Sequence, residues 1–236
     1  MTSPRFKLYY WPLPFRGCFA SYLMAYHQVP FIEETSFDEI QKLRELPTDM
    51  QKIPFMGPPL LHDFKFDRTL SQMPAIISYL SRELNLLPAN SYEIALETKV
   101  LMDCNDLLME ICRYNGSMMW VREEWIDFRT KRFPKWMKVF EEMVNRGFLA
   151  TSEVNVADIC TYALFGNMIR CLPDLEEDLD KNAPKVKSLC KKIETHTPLK
   201  EFVLGQTKKY ENLYCGGQIE KSIRHMLELD KTGTYV

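Results

Sequence analysis

The sequence predicts a two-domain protein: a small mixed α/β domain over residues 1–86, then an all-helical domain over residues 92–236 with a tail from about residue 209. Three observations predict it. Up to about residue 86, short β-prone runs alternate with runs of helical period. From Tyr92 onward strand-like alternation is gone and long helix-like segments follow one another. Between the two regions, the stretch from Leu86 to Tyr92 holds Pro88, Asn90 and Ser91, which break either kind of element.

The elements follow in order. Phe6-Lys7-Leu8-Tyr9-Tyr10-Trp11 is aromatic and β-prone and stops at Pro12 and Pro14. After Gly17, the residues Phe19, Ala20, Leu23, Met24 and Ala25 recur at helical spacing, and Pro30 closes the helical region. Phe31 to Thr35 reads as a second strand. Asp38 is placed to cap a short helix running through Arg44. Leu60-Leu61-His62 and Lys65-Phe66-Asp67 read as two brief strands with Asp63 near the turn. A helix from about Gln72 to Leu84 carries Ile76, Ile77, Leu80 and Leu84 on one face. The first strand–helix–strand half demands a parallel pair with a right-handed crossover, and the two later strands extend the sheet antiparallel. This βαβ–ββα order is that of a thioredoxin-like domain.

In the second region, residues 93–119, 122–147 and 155–172 form long helix-like segments, with shorter ones near 183–195 and 198–208. Gly147 fits a helix C-cap. Asn155-Val156-Ala157-Asp158 reads as an N-cap with an acid at the third helical position, before the apolar run Ile159 to Phe165. The tail after Lys209 contains a turn at Gly216-Gly217. No internal repeat or low-complexity tract is present.

Composition narrows the function classes. The chain has 236 residues, 46% hydrophobic and 26% charged, which is ordinary for a packed globular protein. A net charge of −2 gives no electrostatic reason for a nucleic-acid or anionic-membrane partner. No apolar run is long enough to cross a bilayer, and Met1 to Lys7 lacks the apolar core of a signal peptide, so a cytoplasmic location is expected. Seven cysteines stand at 18, 104, 112, 160, 171, 190 and 215 without a CxxC pair. Their spacing does not suit zinc, so no metal site is expected and they read as reduced core thiols.

Four pieces of sequence resemble the soluble glutathione transferase family, over about residues 5–208. The first is Leu8-Tyr9-Tyr10-Trp11-Pro12 followed by Arg16-Gly17, similar to the tyrosine-type classes, in which a strand ends in Tyr and an Arg-Gly pair opens the first helix. Here the loop is two residues longer than in the mu-like pattern. Leu13 stands where serine- and cysteine-type classes place their activating residue, which speaks against those chemistries. The second is Gly57-Pro58-Pro59-Leu60-Leu61, similar to the family's cis-proline turn, with Pro59 as the cis residue and Pro54 as a weaker candidate. The third is Ser71-Gln72-Met73-Pro74-Ala75-Ile76, similar to the family's Gln-Ser helix start, with Met73 in the hydroxyl position. The fourth is Asp103-Cys104-Asn105-Asp106, where Asp106 is the better match to an acid that reaches glutathione across a dimer.

The resemblance implies roles for these residues. Tyr10, with Tyr9 as second choice, would donate a hydrogen bond to the sulfur of glutathione. A free cysteinyl thiol titrates near about 8.5, so a donor that favours the thiolate raises its population at neutral pH. Glutathione itself would be held by Trp11, Arg16, Lys52, Pro58, Pro59, Gln72, Met73 and Asp106, with Gln51 beside Lys52 as a further candidate. Pro58 has no N–H and offers only its carbonyl, while the helix start at Gln72-Met73 offers free N–H groups and a positive dipole end. A pocket for an apolar electrophile would be lined by Leu13, Phe15, Tyr114, Met118 and Met119, although the same side chains also suit a packed core. The implied activity is conjugation of glutathione to small apolar electrophiles, with glutathione-dependent peroxide reduction as a second outlet, in a homodimer. Glutathione is then a co-substrate and no metal is needed. A transferase-fold module that binds ligands or proteins without turnover remains the alternative.

Overall fold

The computed structural model describes residues 3–232. Four short strands form one sheet in the order β2-β1-β3-β4, from β1 (Phe6–Tyr9), β2 (Phe31–Glu34), β3 (Leu60–Asp63) and β4 (Arg68–Ser71). β1 pairs parallel with β2, and β3 is antiparallel to both β1 and β4. Helices α1 (Gly17–Tyr26), α2 (Phe37–Glu45) and α3 (Met73–Glu83) complete the βαβ–ββα order expected from the sequence.

The pleat sorts the side chains. Phe6 and Leu8 are buried on the face of β1 that meets α1, while Lys7 and Tyr9 point to the other face. All but one residue of α1 is buried. Each of Phe19, Leu23 and Met24 removes a whole apolar side chain from water, which stabilises by about 1.5–3 kcal/mol apiece.

Three local expectations are corrected. The first strand ends at Tyr9 rather than Trp11, although the Tyr10 N–H still donates to the Glu34 carbonyl at 3.1 Å. Ser36, not Asp38, caps α2: its hydroxyl accepts from the Glu39 N–H at 3.3 Å, and Asp38 lies inside the first turn. The aromatic alternation of Phe64-Lys65-Phe66 belongs to the β3–β4 turn, where Asp67 takes a positive φ of 49°, and the strand begins at Arg68.

The remaining elements are α4 (Ser91–Ile111), the short left-handed turn α5 (Arg113–Gly116), α6 (Arg122–Asp127), α7 (Phe133–Asn145), α8 (Val156–Thr161) and α9 (Asn167–Cys171). They are followed by α10 (Glu176–Asn182), α11 (Pro184–Glu194), α12 (Thr197–Tyr210) and α13 (Gly217–Thr232). Wide π-helical turns at Phe128–Arg132 and Tyr162–Gly166 join α6 to α7 and α8 to α9, so two of the long expected helices are interrupted. Gly147 has a φ of 73° and closes α7. At α8 the Asn155 side chain accepts from the Asp158 N–H, and the Asp158 carboxylate accepts from the Asn155 N–H. The tail is not irregular: after the left-handed pair Gly216-Gly217 it forms α13.

Two compact units divide the chain. One comprises residues up to Thr98 together with Glu194–Glu211, and the other Lys99–Ile193 with the chain from Asn212 on. In the first, α12 lies beside α1: Phe202 meets Tyr22 at 6.2 Å and Phe31 at 5.6 Å, and His196 stacks on Tyr26 at 4.1 Å. In the second, Asp230 of α13 accepts from Arg122, Trp125 and Arg129. Its Glu220 accepts three backbone N–H groups, those of Tyr214, Cys215 and Gly216. Among the described residues, no helix is long and apolar enough to cross a membrane, and no group of His, Cys, Asp and Glu could hold a metal ion.

Candidate functional site

Tyr10 continues the alternation of β1, so its ring falls on the α1 face, and it is 6% exposed. The segment 11–16 loops around it and brings the start of α1 to its hydroxyl, which accepts the Arg16 N–H at 3.0 Å. The ring lies against Gly17 so closely that a Cβ there would stand 2.5 Å from it. A first-turn N–H at the positive end of a helix polarises the phenol and strengthens its O–H as a donor. The Arg16 guanidinium lies over Phe15, 4.9 Å from the ring centroid, and Phe15 is itself buried. Trp11 is half-buried against Phe37 at 5.3 Å, with the Arg44 guanidinium 5.7 Å from its ring.

Beside Tyr10 is a cavity of about 10 Å³, room for one water, which Glu33, Thr35, Gln206 and Tyr210 help to line. Gln206 donates to Glu33 Oε1 at 3.1 Å, and its own Oε1 is buried with no hydrogen-bond partner. Burial pushes the Glu33 carboxyl up, against the opposing pull of Lys209 and Gln206. Glu33 and Gln206 went unmarked in the sequence reading. The signal was the buried stripe Leu199, Val203, Gln206, Tyr210 on α12, where a glutamine interrupts the apolar face.

Tyr9 faces the opposite way. It lines a separate cavity of about 390 Å³ together with Gln51 and Lys52. Gln51 is occupied in holding its own loop: it donates to the carbonyls of Leu46 and Arg44 and accepts the Phe55 N–H at 2.9 Å. Lys52 pairs with Asp67 at 2.9 Å. These two residues, which the resemblance offers as glutathione contacts, line the cavity that Tyr9 faces.

The Pro58–Pro59 bond is cis, which agrees with the expected turn. At the start of α3, Gln72 is exposed and holds φ at 71°, an uncommon conformation for a side-chain-bearing residue and one that concentrates at functional sites. The Met73 side chain is 1% exposed. The thioether packs in the core, so the contact expected from the resemblance would rest on the Met73 backbone.

In the helical unit, Asp106 stands exposed on α4 while Asp103 pairs with Lys99 one turn earlier. After α4, Arg113, Tyr114, Asn115 and Gly116 all take positive φ, at 47°, 56°, 60° and 77°. The Cys112 sulfur accepts the Asn115 N–H in this turn, and the Ser117 hydroxyl donates to the Arg113 carbonyl. Three consecutive non-glycine residues in the left-handed region cost about 1–3 kcal/mol each. The turn leaves Tyr114 62% exposed at the edge of a cavity of about 520 Å³ that is floored by Trp120 and Phe128. Met118 and Met119 are exposed too, but they do not line it.

Of the buried cysteines, Cys18 lines the cavity beside Tyr10. All seven are free, and six are buried. Burial raises the thiols of Cys104 and Cys215 well above their usual range and Cys171 to about 11. Such thiols stay protonated at neutral pH and do not act as nucleophiles.

A four-stranded βαβ–ββα unit followed by a helical one, with a helix-start N–H on a strand-end tyrosine and a cis-proline before β3, defines a thioredoxin-like, two-domain class of protein. The chain belongs to the glutathione S-transferase family: the family's C-terminal domain matches residues 96–226. No curated protein matches it by sequence. Among solved structures, the Pi-class glutathione S-transferase of Onchocerca volvulus is similar, with 19% identity and a TM-score of 0.73, over 91% of this chain and 98% of that one. Prostaglandin synthase D of Nilaparvata lugens matches with 17% identity and a TM-score of 0.70, over 86% and 99% of the two chains. Rat hPGDS, in complex with a quinoline, matches with 19% identity and a TM-score of 0.69, over 86% and 97%. At these identities the likeness supports the shared fold.

Proposed function

We propose that the protein conjugates glutathione to small apolar electrophiles. The observation that carries this reading is the Arg16 N–H donated to the Tyr10 hydroxyl at 3.0 Å. A phenol polarised in this way donates its own proton strongly. Aimed at the sulfur of glutathione it favours the thiolate over the thiol, and each pKa unit of that preference corresponds to about 1.4 kcal/mol. The thiol proton leaves to solvent, the sulfur forms a bond to the electrophilic carbon, and the leaving group departs with the electron pair of its bond. With a peroxide in place of the carbon electrophile, the thiolate would attack one oxygen, the O–O bond would break and the alkoxide leave to be protonated, and a second glutathione would convert the resulting sulfenic acid to glutathione disulfide and water.

The glutathione contacts proposed are Tyr10, Trp11, Arg16, the Pro58 carbonyl beside Pro59, the exposed Gln72 with the Met73 backbone, and, across the dimer that the resemblance implies, Asp106 of the partner subunit. For the electrophile, Leu13 beside Tyr10 supplies apolar surface in the first unit; in the second unit by itself, Tyr114, Met118 and Met119 are exposed. The strained turn that presents Tyr114 supports a role for it, because such strain is kept where the surroundings over-determine it. A cytoplasmic homodimer completes the reading, and sedimentation velocity on the purified protein tests the dimer.

A second reading is favoured by one observation. Met73 offers no hydroxyl and turns its side chain into the core, so a carboxylate at the start of α3 has only backbone N–H groups and the Gln72 amide to meet. The fold would then hold a ligand without turning it over. Calorimetry with glutathione on the wild type, Tyr10→Phe and Asp106→Ala, followed by a conjugation assay with chlorodinitrobenzene, separates the two. Retained binding with lost turnover in Tyr10→Phe supports the enzyme. No heat of binding at high millimolar glutathione overturns it.

A further inference from the structure

The small cavity beside Tyr10 is where α12 reaches the strand end that carries the phenol. Three ties converge on that strand end, all within the first unit. The Glu34 carbonyl takes the Tyr10 N–H at 3.1 Å. On either side of Glu34, the Glu33 carboxyl accepts from the Gln206 amide at 3.1 Å, and the Thr35 hydroxyl accepts from Lys209 Nζ at 3.1 Å. The end of β2 that aligns the Tyr10 backbone is therefore held from outside by α12.

Gln206 has a second polar atom to satisfy. The residue is 6% exposed, and its Oε1 is buried with no hydrogen-bond partner among the described residues. A buried amide oxygen left unpaired is costly and is rarely kept in a folded protein. The cavity that Gln206 borders, of about 10 Å³, has room for one water, and a buried water makes two to four hydrogen bonds. Gln206 Oε1 is one acceptor for it. The Thr35 hydroxyl, which accepts from Lys209, keeps its own hydrogen to donate. The Glu33 carboxyl borders the same space, and its burial favours the uncharged form against the opposing pull of Lys209 and the Gln206 bond. In so small a volume the occupant touches every wall, the Tyr10 side among them.

We propose that Gln206 is a positioning residue for Tyr10. Through a bound water on one side and Glu33 on the other, α12 holds the phenol on the Arg16 N–H. The kinetic consequence rests on the transferase reading; the geometry does not. Without the Gln206 amide the water loses its acceptor, Glu33 loses its donor, and the Tyr10 hydroxyl leaves the helix start more often. The glutathione thiolate is then less favoured.

The test compares the wild type with Gln206→Met, which is unbranched and similar in size, and with Glu33→Gln, which keeps an oxygen for the Gln206 amide. In Gln206→Met the apparent pKa on kcat/KM for the electrophile, at saturating glutathione, should rise by about half a unit, a loss of about three-fold on the acid side. The KM for glutathione should stay unchanged. The Arg16 amide, protected by the Tyr10 hydroxyl, should exchange hydrogen about ten-fold faster, read by NMR on the full chain. Glu33→Gln should match the wild type in both readouts. Unchanged Arg16 exchange, or an unchanged pH profile in an active enzyme, overturns the proposal whatever happens to the melting temperature. If the wild type shows no conjugation, the transferase reading fails, and Arg16 exchange still decides the role of Gln206. If Gln206→Met does not fold, a high-resolution crystal structure of the wild type decides: an ordered water on Gln206 Oε1 supports the proposal, and a dry cavity overturns it.

Discussion

Gly17 has no room for a side chain. A methyl group there would press on the Tyr10 ring from 2.5 Å, and the hydroxyl could not stay on the Arg16 N–H. Gly17→Ala should cost about 1–3 kcal/mol through overpacking and lower kcat more than glutathione affinity, read by thermal melting and steady-state kinetics. Asp63 shows the same dependence on its immediate neighbours. It is 1% exposed, and it accepts from the Arg5 guanidinium, the Tyr79 hydroxyl at 2.7 Å and the Lys65 N–H at 2.8 Å. Arg5→Met would leave this carboxylate buried without its cation, at a cost of about 3 kcal/mol, measurable by urea unfolding. The sequence made Tyr10 legible because a tyrosine at a strand end before Arg-Gly is a pattern. It left Glu33 and Gln206 unmarked, since their meeting depends on α12 lying beside α1, and nothing local encodes that distance.

At the scale of elements, periodic patterns were read well and boundaries poorly. The face Ile76, Ile77 and Leu80 of α3 is buried as its spacing requires. The strand expected at Lys65 failed for a physical reason: two aromatics flanking a lysine alternate like a strand, but Asp67 in the left-handed region is a turn. The tail held an equally clear stripe, Ile219, Ile223, Met226 and Leu227, hidden behind two glycines that read as a break. That helix is fastened by Asp230. Burial alone would raise the Asp230 carboxyl, but the Trp125 N–H and the Arg129 and Arg122 guanidinium groups outweigh it and hold its pKa low. Asp230→Ala should cost about 3 kcal/mol, because it strips charge-assisted hydrogen bonds from two half-buried arginines. Hydrogen exchange should show α13 and the α6 region losing protection together. Asn155→Ala, which breaks the capping box, should cost about 1 kcal/mol.

For the whole molecule, acid stability follows from the buried carboxylates, and their shifts have opposite signs. Asp63 and Asp230 titrate below the ordinary 3.8, each because its hydrogen-bonded partners overcome the effect of burial. Their contribution is complete above that value and is lost as pH falls through their lower folded pKa. Asp158, Asp178 and Glu33 are raised chiefly by burial, so their charging opposes folding at neutral pH and is relieved as they protonate. Stability should therefore hold or rise slightly from neutral pH toward the upper carboxylate range, then fall below about pH 4. Urea midpoints across pH test this, and Asp63→Asn should flatten the acid limb.

The sheet-bearing unit is assembled from two stretches of chain that are far apart in sequence, residues up to Thr98 and Glu194–Glu211. During synthesis the ribosome releases all four strands long before the helix that covers Tyr22 and Phe31 exists. Until Phe202 emerges, the α1 surface stays open to chaperones and to other nascent chains. A gene fragment that stops near residue 98 would encode an unfinished object, with a bare apolar flank, and aggregation of that product is its expected fate.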